Sequence, residues 1–241
     1  MTPRLNEFWV YLAASPLLGL TATLLAYQLA YLLFKRSGYN PLANPVAIAV
    51  ALLVAVLSWS HTPYQTYFEG AKFVHFLLGP ATVALAIPLH QQLPKLRRNW
   101  VALLAGVLLG SAAAVITAMT LAWALGASAS TILSIAPKSV TTPIAMGIAE
   151  KIGGLPSLTA VLVIATGILG ASLSGLLMGW LGVRDDSVAG FALGVTAHGI
   201  GTARAFQVSE EMGAFAGLAM GLCGILMALL LPFALRLLGL V

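Results

Sequence analysis

The chain has 241 residues, 60% of them hydrophobic and only 8% charged, and a formal net charge of +5. Soluble domains carry roughly 25% charged residues, so this composition excludes an ordinary water-facing surface and points to an integral, all-α, polytopic membrane protein. The positive balance fits cytoplasmic loops that collect Lys and Arg; no aromatic–basic RNA motif and no Walker-type glycine loop argues for nucleic acid or nucleotide.

Eight hydrophobic segments follow in chain order, at about 9–34, 42–59, 72–90, 100–125, 128–150, 156–180, 187–207 and 213–240. A spanning helix needs about 20 mostly apolar residues. The first segment has Pro16 near its start, and its apolar run outlasts the core of a cleavable signal peptide. The second follows the turn-rich NPLANP, which ends at Pro45. Segments four, six and eight are plain. Segments three, five and seven carry interruptions: LLGPATVALAIPLH, SIAPKSVTTPIAMG and GVTAHGIGTARAF. No linker is long enough to separate two domains, so one transmembrane domain over 1–241 is expected.

If every segment crosses once, Lys35 and Arg36, then Lys95, Arg97 and Arg98, then Lys151 share the cytoplasmic side. Both termini would then lie outside. Internal echoes accompany this order. GVLLGS at 106–111 resembles TGILGA at 166–171, and AEKIGG at 149–154 resembles SEEMGA at 209–214. A repeated unit of broken helix plus plain helix is inferred, in the manner of transporters with discontinuous helices.

The fifth segment is the most polar for its place. Pro137 and Pro143 each lack an N–H and obstruct the preceding turn, so one continuous helix over 137–143 is not expected. Backbone freed from its ladder is tolerated at membrane depth only inside protein or beside a wet cavity. A short helix restarting near Thr141 to Pro143 would turn its N–H groups and positive dipole end to the break. Ser139, Thr141 or Thr142 can cap it, and Lys138 adds a full charge. Such a site suits a carboxylate or phosphate. The alternative is that Lys138 snorkels to a surface and the hydroxyls bond within their own helix.

The seventh segment supplies a partner over 196–204. Gly194, Gly199 and Gly201 permit a turn, and His198, Thr202 and Arg204 are polar groups in an apolar run. His198 could carry a proton near neutral pH or be a hydrogen-bonded core residue. The third interruption, Gly79 to Ala86, offers Thr82 as its only side-chain hydroxyl. No acidic residue falls mid-segment, which favours an anionic guest over a metal or sodium path. His61, His75 and His90 lack ligand spacing, and the single Cys223 sits in a packed apolar run, so no metal or cofactor is expected. There is no nucleophile–base arrangement and no HExxH, so an enzyme has little support. Glycine pairs such as Gly190 and Gly194 allow close helix packing within the chain or in a homo-oligomer, a dimer being the simplest.

PKSVTTPIAMGIAEKIGGLPSLTAV, followed by AHGIGTARAF and preceded by YQTYFEGAKFVHFLLGPATVALAIPLHQQL, closely resembles the LrgB/CidB family. The resemblance runs from about residue 42 to the end, with 1–41 less diagnostic. It implies a multi-pass protein of the bacterial inner membrane. It also implies one of two activities: transport of small carboxylates (pyruvate, glycolate, glycerate), or antiholin-like control of murein hydrolases and lysis with an LrgA/CidA-type membrane partner. A related plastid translocator resembles both parts fused; this chain carries only the LrgB-like part, which implies a separate partner. For a carrier, Lys138, Ser139, Thr141, Thr142, His198, Gly199, Thr202 and Arg204, with Thr82, would line the substrate site.

Overall fold

A computed structural model describes residues 16–40, 43–77, 80, 83, 84 and 86–241, and every regular element among them is a helix. The contacts divide the chain into two compact units, Met1–Ala84 and Leu85–Val241.

The first unit holds α1 (Pro16–Arg36), α2 (Pro45–Ser60) and α3 (Tyr64–Phe76). Small residues let these helices approach. Ala26 and Ala30 of α1 pack on Ala49 of α2, and a Cβ at Gly19 would lie 2.4 Å from the Tyr67 carbonyl of α3. Thr23 and Tyr67 join hydroxyls at 2.7 Å across the same contact. Asn44 caps α2, accepting from the N–H groups of Val46 at 2.9 Å and Ala47 at 3.2 Å. Asn44→Ala should therefore cost about 1 kcal/mol, read as a lower unfolding midpoint in detergent.

The second unit holds α4 (Ala86–Gln91), α5 (Leu93–Ala124), α6 (Ala129–Ile135), α7 (Thr142–Ile152), α8 (Pro156–Trp180), α9 (Asp186–Val208) and α10 (Glu210–Leu237). Among the described residues, four helices are long and apolar enough to cross a membrane: α1 over Leu17–Arg36, and α5, α8 and α10. At 1.5 Å per residue α8 is about 37 Å long, enough for a hydrocarbon core of about 30 Å. The apolar α2, at 16 residues, is shorter.

The fifth and seventh hydrophobic segments do not cross. Each is a hairpin of half depth. α9 reverses at His198, whose φ of 41° and ψ of −132° interrupt the helix. Its two arms then lie side by side, so Asp186 at its start accepts from the Ser209 hydroxyl just past its end, at 2.6 Å. Arms of about 18 and 15 Å reach only to the middle of a bilayer. The segment 129–152 behaves likewise. Ser134 of α6 bonds the Leu155 N–H at 2.8 Å and, through its carbonyl, the Thr159 hydroxyl at 2.9 Å. The end of α6 thus sits beside the start of α8, where α7 also ends. Residues 136–141 carry the chain inward, and α7, about 16 Å long, carries it back.

The two hairpins open at opposite ends of α8. The first opens where α8 begins, the second where it ends. This corrects the charge reading of one crossing per segment. Lys95 pairs with Glu211 at the start of α10, beside the mouth of the second hairpin, and Arg97 and Arg98 follow on the same turn of α5. Lys151 lies at the far end of α8, by the mouth of the first. The two clusters do not share a side.

Glycine makes the second hairpin fit α10. A Cβ at Gly190 would lie 2.1 Å from the Met212 carbonyl, and one at Gly194 would lie 2.2 Å from that of Ala216. Asp185 caps α9 through the N–H groups of Ser187 and Val188. The Ser187 hydroxyl and these N–H groups hold its carboxyl below the usual carboxylate range.

Candidate functional site

The two interruptions meet near mid-depth. Ala136 and Val140 of the first hairpin share one buried cluster with Val163 of α8, Val195 of α9 and Ala219 and Cys223 of α10. Ile144, in the first turn of α7, packs on Gly224 of α10. One turn earlier on α10, Met220 faces Gly199 and accepts a long contact from the Thr202 hydroxyl at 3.8 Å. Both hairpin tips therefore adjoin the same stretch of α10.

At the first tip, Thr141 holds the N-cap position with φ −61° and ψ 147°, yet its hydroxyl does not cap the helix. The first intrahelical bond runs from the Ala145 N–H to the Thr141 carbonyl at 2.9 Å. The N–H groups of Thr142 and Ile144 precede it, and Pro143 has none. These donors and the positive end of the α7 dipole point into the middle of the protein. Lys138 lies beside them, half-buried. Its ammonium gives Ser139 a long bond of 3.4 Å, and among the described residues no carboxylate lies within salt-bridge distance of it. Ser139 itself is only 2% exposed. Lys138 is also within electrostatic reach of the His198 ring.

At the second tip the second arm of α9 begins at Gly199, so its N-terminal turn also faces mid-depth. The Thr202 hydroxyl donates to the His198 carbonyl at 2.8 Å. The His198 side chain, 4% exposed, turns to α8, where Nε2 lies 3.0 Å from the Val163 carbonyl. A residue with a side chain at this φ stores strain of about 1–3 kcal/mol.

Seven of the nine residues expected at the site lie at or beside the two tips: Lys138, Ser139, Thr141, Thr142, His198, Gly199 and Thr202. Of these, the His198 ring is turned to α8, against the Val163 carbonyl. Arg204 is not there. It lies more than a turn towards the mouth of the second hairpin and bonds Gln207 at 3.2 Å. It lines a small cleft of about 160 Å³ with Arg184, Asp186 and Ser174. The reason is the fold-back: each residue beyond 198 moves away from mid-depth. Thr82, with Gly79, Ala81 and Leu85, lies outside the described residues.

The sequence offered no sign of several neighbours. Val163 and Gly167 of α8 receive the His198 ring, and Met220 and Gly224 of α10 border both tips. Of these, the two glycines were visible only as parts of an internal echo, Gly167 in TGILGA and Gly224 in CGIL. A larger cleft of about 580 Å³ runs between α5 and α9, from Asn99 and Asp185 past Gly106 and Phe191 to Thr196, two residues from the second tip. Ser134 holds the first hairpin to α8 and is fully buried. Ser134→Ala leaves the Leu155 N–H without its acceptor and should cost about 1–3 kcal/mol, measured by thermal unfolding in detergent.

Comparison with known proteins agrees with this picture of a membrane helical protein. The model of the LrgB-like family matches residues 23–237. The uncharacterized protein YxaC of Bacillus subtilis (strain 168) is 38% identical over 204 residues, 85% of this chain and 88% of the relative. The antiholin-like protein LrgB of Bacillus cereus (strain B4264) is 32% identical over 225 residues, 93% of this chain and 98% of the relative. The protein of that name in Bacillus anthracis (strain CDC 684 / NRRL 3495) matches to the same degree. No solved structure matches the chain. Four apolar helices of crossing length and relatives aligned over nearly their whole length make this a multi-pass bacterial membrane protein, and the chain belongs to the LrgB-like family.

Proposed function

We propose that the protein carries small monocarboxylates across the membrane by alternating access. The observation behind this reading is a half-buried cation with no counter-ion among the described residues: Lys138, just before the open N-terminal turn of α7. An ammonium there costs about 2.5–3.5 kcal/mol on insertion scales, a cost that a bound anion offsets. One carboxylate would take the Lys138 ammonium, the N–H groups of Thr142 and Ile144, and the hydroxyls of Thr141 and Thr142. Ser139 would orient Lys138. Gly199 and Thr202 would close the site from the other tip. The guests we have in view are two- and three-carbon acids of the pyruvate, glycolate and glycerate class.

Two like units, each a half-depth hairpin followed by a crossing helix, run over 129–180 and 186–237 in opposite senses. We read them as an inverted repeat, the arrangement in which one bundle rocks against another around a central site. The cleft between α5 and α9 would lead towards that site from the end bearing Lys95. A homo-oligomer is compatible with this arrangement, and nothing in the site requires one.

A second reading has its own support: relatives carry the name antiholin-like protein. On it, the chain would control murein hydrolases and lysis with an LrgA/CidA-type membrane partner. Reconstitution separates the two. Purified protein in liposomes should take up at least one of pyruvate, lactate, glycolate and glycerate above empty vesicles. Uptake only after co-reconstitution with an LrgA-type protein would make the partner a subunit of the carrier. No uptake under either condition, with a lysis phenotype retained in cells, would favour the second reading.

A further inference from the structure

We propose that His198 is a positioning residue, whose Nε2–H seats the tip of the second hairpin on α8, and that it neither binds the carried anion nor relays a proton. The proposal rests on the carrier reading only for its transport arm.

Three observations carry it. First, the imidazole Nε2 is 3.0 Å from the Val163 carbonyl in a buried contact. A carbonyl oxygen can only accept, so Nε2 holds its hydrogen. Giving that proton to anything else would break the contact.

Second, α8 is cut away to receive the tip. A Cβ at Gly167 would lie 2.8 Å from Cε1 and 2.9 Å from Nε2 of His198, and 2.8 Å from Cδ1 of Ile200. A Cβ at Gly170 would lie 2.6 Å from that of Ala197. Residues 197, 198 and 200 thus drop into a two-glycine notch.

Third, the backbone at His198 has φ 41° and ψ −132°, a conformation that glycine reaches without penalty. Glycines stand at 199 and 201 on the same turn. A side chain kept at the most strained position must return something in contact, and the bond to Val163 is that contact. The Thr202 hydroxyl bonds the His198 carbonyl at 2.8 Å, so the peptide is held on its other side as well. The second tip is thereby fixed to α8, and Gly199 and Thr202 are placed where an anion on Lys138 would meet them.

Glutamine can present an N–H near the position of Nε2 but cannot titrate. The test compares His198→Gln, His198→Phe and Gly167→Ala in purified protein. It reads hydrogen–deuterium exchange over 195–203 together with pyruvate, glycolate and glycerate uptake and its pH profile. His198→Gln should keep tip exchange within about threefold of wild type, with uptake and pH profile little changed. His198→Phe and Gly167→Ala should speed tip exchange at least tenfold and lower uptake in proportion, with both proteins still monodisperse in detergent. His198→Gln losing uptake or its pH dependence while the tip stays protected would make the ring a ligand or proton carrier and overturn the proposal. Wild-type exchange in both His198→Phe and Gly167→Ala would overturn it too. If either aggregates, the other decides. Should wild-type protein carry none of these acids, the carrier reading fails, and the exchange arm still decides the seat.

Discussion

Lys138→Ala is expected to lower kcat/KM for carboxylate uptake by about 10–100-fold, the equivalent of losing a charge-assisted hydrogen bond of about 1.5–3 kcal/mol. Its effect on stability should have the opposite sign. A half-buried ammonium with one long bond to Ser139 and no carboxylate in reach among the described residues is an unfavourable group in the empty protein. Removing it should leave the unfolding midpoint unchanged or raise it. A structural lysine would behave otherwise, because its truncation would strand a partner and lower the midpoint. Lys138→Arg keeps the charge but replaces a compact ammonium by a planar fork, so binding should be partly retained with a shifted KM. The paired readout is uptake in liposomes and thermal unfolding in detergent. Wild-type uptake by Lys138→Ala would remove Lys138 from the site, and with it the case for an anion at the first tip.

Identical substitutions on three glycines should give opposite results. Gly190→Ala and Gly194→Ala place a methyl carbon 2.1 and 2.2 Å from backbone carbonyls of α10. Backbone cannot turn aside as a side chain can, so the second hairpin must separate from α10. Each variant should lose stability at or above the top of the roughly 1–3 kcal/mol range for overpacking. Gly175→Ala sits within α8 with nothing inside 4 Å of the new atom. There the methyl only restricts the unfolded chain and favours helix, worth about 0.5–1 kcal/mol of added stability. Thermal midpoints of the three variants test this. A midpoint for Gly194→Ala equal to that of wild type would mean the hairpin does not lie along α10 as described.

The interruptions themselves were legible in the sequence because their causes are local. Pro137 obstructs the turn before it and Pro143 suits the first turn of a new helix, whatever surrounds them, and the glycines around His198 allow a reversal. Lys138, Thr141 and Thr142 were legible for the same reason, as polar groups tied by chain connectivity to a break. Membrane residence followed from composition alone. The crossing count was not legible. A half-depth hairpin and a full span put the same apolar residues into the same hydrocarbon, so hydropathy over 128–150 and 187–207 is satisfied by either.

What decided between them is pairing far along the chain: Ser134 with Leu155 and Thr159, Asp186 with Ser209, Gly190 and Gly194 with α10. The same long-range packing displaced Arg204 from the site and aimed the His198 ring at Val163. By itself, then, the sequence determined a membrane helical protein of the LrgB-like family with two broken segments and a lysine at the first break. Only the tertiary structure determined that these segments fold back from opposite ends of α8 and bring their tips together. Breaks arise from the covalent chemistry of each residue, whereas the direction a chain takes after a break depends on which surface is there to receive it.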